Sequence, residues 1–183
     1  KVRYEKLACA SGEASAVPPG PDHVADISCG GNACVARLNN GIAYAWGDDT
    51  KGGDASPVDL TGVVDISCGF NACVALKGDD TAVAWGLPTR GGLVPSSVTL
   101  TSVADISCGA NSCVARKTDN TGYAWGSSVY GGGDASSVDL TNVAEISCGF
   151  SAFIPPTRDD TAVAWVDATV SHKDSANVSY VDS

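Results

Sequence analysis

Val63-Val-Asp-Ile-Ser-Cys68, Gly69-Phe-Asn-Ala-Cys73-Val-Ala-Leu76 and Asp80-Thr-Ala-Val-Ala-Trp85-Gly86 make up one unit of a sentence that the chain repeats. The opening words recur as Val24-Ala-Asp-Ile-Ser-Cys29, Val103-Ala-Asp-Ile-Ser-Cys108 and Val143-Ala-Glu-Ile-Ser-Cys148, and the closing tryptophan as Trp46, Trp125 and Trp165. Both landmarks step by 39, 40 and 40 residues. Repetition at this length predicts stacked or radially arranged units that share cores with their neighbours.

Within a unit, Val-x-Asp-Ile-Ser and Ala-Cys-Val-Ala alternate apolar and polar side chains and predict two antiparallel strands with a tight corner between them. Gly30-Gly31-Asn32 and Gly69-Phe70-Asn71 occupy that corner, which suggests residues chosen for left-handed backbone values. A third strand follows at Ile42-Ala-Tyr-Ala-Trp46 and its counterparts, entered through Asn39-Asn40-Gly41, Gly78-Asp79-Asp80, Asp119-Asn120 and Asp159-Asp160. Its two-residue period puts Tyr44 and Trp46 on one face and Ala43 and Ala45 on the other, so that a small face can meet the bulky face of a neighbouring sheet. The Gly-rich passage after each tryptophan predicts a loop leading to a short outer strand or irregular edge.

The 183 residues carry a net charge of −10, with only 11 Lys and Arg, singly placed. That balance disfavours nucleic acid and anionic lipid, and suits a basic partner or simple solubility. No apolar run is long enough to span a bilayer, and nothing at Lys1 reads as a signal peptide. A first residue other than Met is expected of a processed or fragmentary chain.

Six of the eight cysteines form C-x4-C pairs, Cys29/Cys34, Cys68/Cys73 and Cys108/Cys113. Across a hairpin corner these positions face each other at a Cα separation of about 4.5–5.5 Å, within disulfide reach; free buried thiols are the alternative. Zinc is disfavoured because His23 and His172 lie outside the repeats. Phe153 stands where the fourth repeat's second cysteine belongs, leaving Cys148 and Cys9 either to bridge or to stay free. Disulfides imply an oxidising, extracytosolic compartment, with which the sequon Asn177-Val-Ser179 is compatible.

The repeats resemble the β-propeller blades of the regulator-of-chromosome-condensation (RCC1) type, in particular its short-bladed, cysteine-rich variants and similar repeat proteins of marine algae. Asn32, Asn71, Asn111 and Ser151 replace that family's corner histidine, and the Gly-Gln after its Trp-Gly is absent. The resemblance implies an all-β, antiparallel propeller-like array of four blades (24–62, 63–102, 103–142 and 143–166), flanked by an extension at 1–23 and a tail at 167–183. Members usually have seven blades, so four imply a small closed ring or a partial propeller. Ser175-Ala-Asn-Val-Ser-Tyr-Val181 echoes the blade edge and suggests the start of a further repeat.

Chemistry is sparse. No nucleophile elbow, phosphate loop or His-Glu cluster occurs, so no enzyme, cofactor or metal is expected. Asp48/Asp49, Asp79/Asp80 and Asp159/Asp160 recur with the repeat and are expected to cap turns rather than bind calcium. The tryptophans are expected in the core. Function is expected where repeats differ: Leu87, Pro88 and Arg90, Tyr130, and Phe150, Phe153 and Ile154. These would dock a protein partner, making the chain an accessory subunit of a larger complex, a membrane-protein complex on the lumenal side of a photosynthetic membrane being one version. A secreted inhibitor, as in the branch that contains a bacterial β-lactamase inhibitor, is the second reading, and a calcium-dependent or carbohydrate-acting enzyme the third.

Overall fold

A computed structural model describes residues 23–96, 98–127, 140–149, 152–153 and 165–166. Three three-stranded antiparallel sheets follow one another: β1 (Val24–Cys29), β2 (Ala33–Leu38) and β3 (Ala43–Gly47); β4 (Val63–Cys68), β5 (Ala72–Lys77) and β6 (Ala82–Gly86); β7 (Val103–Cys108), β8 (Ser112–Lys117) and β9 (Gly122–Gly126). In the fourth repeat, β10 (Ala152–Phe153) pairs antiparallel with β11 (Trp165–Val166). No sheet closes on itself among the described residues, as in a partial propeller.

The register is the same in each unit. Cys29 faces Cys34 and Cys34 faces Trp46; Cys68, Cys73 and Trp85, then Cys108, Cys113 and Trp125, repeat the pattern. Phe153 opposite Trp165 preserves it, so Phe153 does hold the second-cysteine position. Each first strand has a bulge beside its acid, and that acid's Oδ1 accepts the next N–H: Asp26 from Ile27, Asp65 from Ile66 and Asp105 from Ile106, at 2.8–2.9 Å. A recurrent acid is thus explained by a recurrent backbone donor.

Sheets stack by meeting unlike faces. Ala33, Val35, Ala43 and Ala45 of the first sheet pack against Ile66, Cys73, Ala75 and Trp85 of the second. Ala72, Val74 and Leu76 then meet Ile106, Cys113, Ala115 and Trp125 of the third, and Val114 and Ala124 meet Val143 and Ile146 of the fourth repeat. Ile66, Ile106 and Ile146 are 5–7% exposed, whereas Ile27, at the same register of the first sheet, is 39% exposed. The position is covered wherever a preceding sheet stands before it.

The stretches after Trp46 and Trp85 form 3-10 turns, Asp49–Lys51 and Pro88–Arg90, and then an irregular edge rather than a fourth strand. That edge is tied back by single hydrogen bonds, Ala43 N–H to the Leu60 carbonyl and Ala82 N–H to that of Leu100, both 3.0 Å. The next blade then begins from the β2–β3 or β5–β6 corner, where Val63 N–H donates to Gly41 O and Val103 N–H to Asp80 O, each at 2.8 Å.

The cysteine corner does not use the left-handed backbone that its Gly and Asn residues predict. Gly30, Gly31, Gly69, Asn32, Asn71 and Asn111 are absent from the positive-φ residues, among which Gly41, Asp80 and Asn120 mark the β2–β3, β5–β6 and β8–β9 corners instead. The glycines are needed for closeness. A Cβ on Gly30 would lie 1.6 Å from the Gly69 carbonyl oxygen, one on Gly69 1.8 Å from that of Gly109, and one on Gly109 2.2 Å from that of Gly149. Backbone meets backbone from blade to blade.

Candidate functional site

The three corner asparagines are buried at 4–7% exposure, and two of them, Asn32 and Asn71, tie their blade to the next. Asn32 Nδ2 donates to the Phe70 carbonyl at 2.7 Å, and Asn71 Nδ2 donates to the Ala110 carbonyl at 2.9 Å and to Asn111 Oδ1 at 3.1 Å. Serines repeat the device one turn earlier: Ser28, Ser67 and Ser107 accept through Oγ from the N–H groups of Cys68, Cys108 and Cys148 at 2.9–3.1 Å.

The same end of the sheets carries the disulfides. Cys29–Cys34, Cys68–Cys73 and Cys108–Cys113 are bonded, with Cα atoms 4.1 Å apart, closer than the strand spacing predicted. Cys148 is a free thiol, and Cys9 lies outside the described residues. Burial pushes the Cys148 thiol up to about 11, against smaller opposing hydrogen bonds from the Ser107 side chain and the Gly109 backbone, so it is a poor nucleophile at neutral pH.

Each of the two described post-tryptophan turns rests on the staple of the following blade. A Cβ on Gly52 would sit 3.2 Å from Cys73 Sγ and one on Gly91 2.9 Å from Cys113 Sγ. The following tryptophan closes the clamp: Trp85 Nε1 donates to Gly52 O and Trp125 Nε1 to Gly91 O, both at 2.9 Å. Lys51 and Arg90, the residues before these glycines, are therefore held at fixed places on the corner end.

Between the two turns lies a groove of about 390 Å³ lined by Lys51, Phe70, Asn71, Leu87, Arg90, Ala110 and Asn111. Three successive blades contribute to it. The Phe70 ring crosses the space above Gly31, where an added Cβ would fall 2.1 Å from the ring, yet Phe70 stays 47% exposed. Arg90 donates through Nη1 to Asn111 Oδ1, so its guanidinium is oriented by the buried amide chain. Lys51 Nζ lies 3.0 Å from Asp48 Oδ2; this carboxyl is held below its ordinary range first by the Thr50 hydroxyl and then by Lys51.

Of the residues picked from sequence, Leu87 and Arg90 line this groove, and Pro88 opens the 3-10 turn that carries Arg90 without lining it. Tyr130, Phe150 and Ile154 lie outside the described residues, and Phe153 is described through its backbone pairing alone. Sequence reasoning missed Lys51, Phe70, Asn71, Ala110 and Asn111. A signal existed: Lys51 and Arg90 occupy the same position in consecutive repeats, 39 residues apart.

Asp48 and Asp79, the first members of two Asp pairs, act as turn caps, as does Asp119, whereas Asp159/Asp160 lie outside the described residues. Asp48, Asp79 and Asp119 each accept from the N–H and hydroxyl of a threonine two residues on. No group of three or more His, Cys, Asp or Glu among the described residues is arranged to hold a metal, and no described helix is long and apolar enough to cross a membrane.

Residues 24–52 and 63–91 match the model of the regulator of chromosome condensation (RCC1) repeat. No curated protein matches the chain in sequence. Among solved structures it is similar to the ectodomain of the Physcomitrella patens receptor kinase CR4, at 17% identity and a TM-score of 0.61, covering 89% of this chain and 46% of that one. Human WBSCR16 aligns at 18% identity with a TM-score of 0.59, over 91% of this chain and 53% of that one. Prp20p of Saccharomyces cerevisiae, described with its binding properties to Gsp1p and histones, aligns at 17% identity with a TM-score of 0.62, over 82% and 47%. The chain thus spans about half the length of these structures. At such identities the likeness is one of fold, that of RCC1-type β-propellers.

Proposed function

We propose that this array is a protein-interaction module that serves, in an oxidising compartment, as an accessory or assembly subunit of a larger complex. The observation that carries the reading is the division of labour along the repeat. Recurrent groups are consumed in holding blades together: the acid caps its own strand, the serine and asparagine bond the next blade, and the tryptophan clamps the preceding turn. What is left over faces outward on the corner end, where the turns differ in sequence and a groove crosses three blades.

Variable side chains on a rigid frame suit recognition of a macromolecule better than catalysis, and the described site offers no paired acid and base or nucleophile. Recognition of proteins is also attributed to a fold relative, yeast Prp20p, which is described bound to Kap60. The three disulfides support the oxidising compartment. A lumenal membrane-protein complex is a specific form of this reading. The test is native purification under non-reducing conditions, followed by size-exclusion chromatography and mass spectrometry. The chain is expected to elute with a stoichiometric protein partner; a lone chain at its own mass of 18.4 kDa would sink the proposal.

A further inference from the structure

The interaction reading leaves the chemistry of the partner open, and the groove narrows it. Its described lining holds two cations, Lys51 and Arg90, and no carboxylate, in a chain whose net charge is −10. Both cations stand at the same repeat position, on turns clamped by a tryptophan and a disulfide of the blade that follows. The floor is a chain of buried amides, with Asn71 bonded to Asn111 and Asn111 to Arg90. Beside it are two apolar walls, the half-exposed Phe70 ring and Leu87.

Resting on the proposed interaction role, we infer that this groove binds a short acidic peptide segment of the partner, with a carboxylate between Lys51 and Arg90 and an adjacent apolar or aromatic side chain against Phe70 and Leu87. A carboxylate matches the planar guanidinium donors of Arg90, which the Asn111 amide holds in orientation. The Lys51–Asp48 pair does not block the site. Both its side chains are about a third exposed, and such ion pairs contribute little, so an incoming carboxylate can share the ammonium's three donors. The volume, about 390 Å³, takes a few side chains rather than a folded surface.

Length separates this occupant from a nucleic acid. A segment of a few residues feels mainly charges within a Debye length of about 8–10 Å. A polyanion lying across the molecule meets the acidic remainder as well.

The probe is a fluorescein-labelled peptide, Glu-Glu-Phe-Asp-Glu, titrated with residues 1–183 and followed by anisotropy in about 50 mM salt. Saturable binding is expected, weakened at least tenfold by the combined substitution Lys51→Glu and Arg90→Glu, weakened several-fold by Phe70→Ser, and lost for the Gln/Asn counterpart of the peptide. Lys117→Glu makes the same kind of charge change elsewhere and is expected to leave the affinity within twofold. Circular dichroism and thermal melts of every variant confirm folding. Absence of saturation up to about 1 mM, equal weakening by Lys117→Glu, or tighter binding of a labelled thymidine 20-mer would overturn the inference. Retention of the native partner by the Lys51→Glu, Arg90→Glu chain would remove this groove while leaving the interaction role standing.

Discussion

Gly69 tests whether the blades are held by backbone contact or by their side-chain cores. In Gly69→Ala the added methyl would sit 1.8 Å from the Gly109 carbonyl oxygen, and relief requires the second and third blades to part by more than an ångström at that edge. Four bonds between described residues span the edge there, Cys108 N–H to Ser67 Oγ, Phe70 N–H to Gly109 O, and Asn71 Nδ2 to Ala110 O and to Asn111 Oδ1, and parting breaks about two of them, each worth about 1 kcal/mol net. Overpacking adds about 1–3 kcal/mol, giving a loss of about 3–5 kcal/mol, a large share of the ~5–15 kcal/mol that usually holds a domain together. The control is Gly62→Ala. Gly62 has φ of 67° and nothing within 4 Å of its would-be Cβ, so it suffers only left-handed strain, about 1–2 kcal/mol. Urea unfolding followed by tryptophan fluorescence measures both. Equal losses, or Gly62→Ala being the worse, would refute the backbone-contact account.

Three further outcomes follow from the titrating groups. Asp59 is held down to about 2, first by Lys77 Nζ at 2.7 Å and then by Thr61; because the folded value lies below the ordinary 3.8, its contribution is full above about pH 4 and lost on acidification towards pH 2. Lys77→Gln is expected to flatten that part of a stability–pH curve, and an unchanged slope would count against the pair. Asp105 is shifted the other way, chiefly by burial, so its ionised form opposes folding at neutral pH. Asp105→Asn, which keeps an acceptor for Ile106 N–H, is expected to stabilise near pH 7, with the gain vanishing below the ordinary 3.8; a gain that persists at pH 3 would mean that charge is not its origin. Cys148, with its thiol pushed up to about 11, is expected to react with N-ethylmaleimide at pH 7 at least tenfold more slowly in the native chain than in guanidinium, as read by peptide mass spectrometry; equal rates would contradict its burial.

How much of this could be read from the chain depends on whether a feature lives inside one repeat. The strands, the Cys–Cys pairing and the alternation of Ala and Trp faces are properties of a two-residue period, written several times over, and each copy checks the others. The corner was misjudged because Gly and Asn have two physical uses. Sequence composition points to left-handed turns, while the actual demand at Gly69 and Asn71 comes from the neighbouring blade some 40 residues away. The groove was harder still, since Lys51, Phe70, Leu87 and Asn111 come from three repeats and touch only once stacking is known. Counting cations as single and scattered concealed that Lys51 and Arg90 share one repeat position.

That shared position also bears on how net charge should be used. A value of −10 is a sum over the whole surface, and it argues soundly against a partner that covers much of that surface, such as a polyanion. It says little about a site a few side chains wide, because screening limits the reach of each charge to about the size of the groove. Here the repeat places two cations in one groove of a chain whose net charge is −10. Its turns are copied with their clamp, so one substitution to Lys or Arg at the residue before the clamped glycine places a cation on the corner face without altering the core. A repeat array can therefore build a binding groove by varying the one turn position its cores do not use, and the same logic directs attention to Tyr130, the next residue in that register.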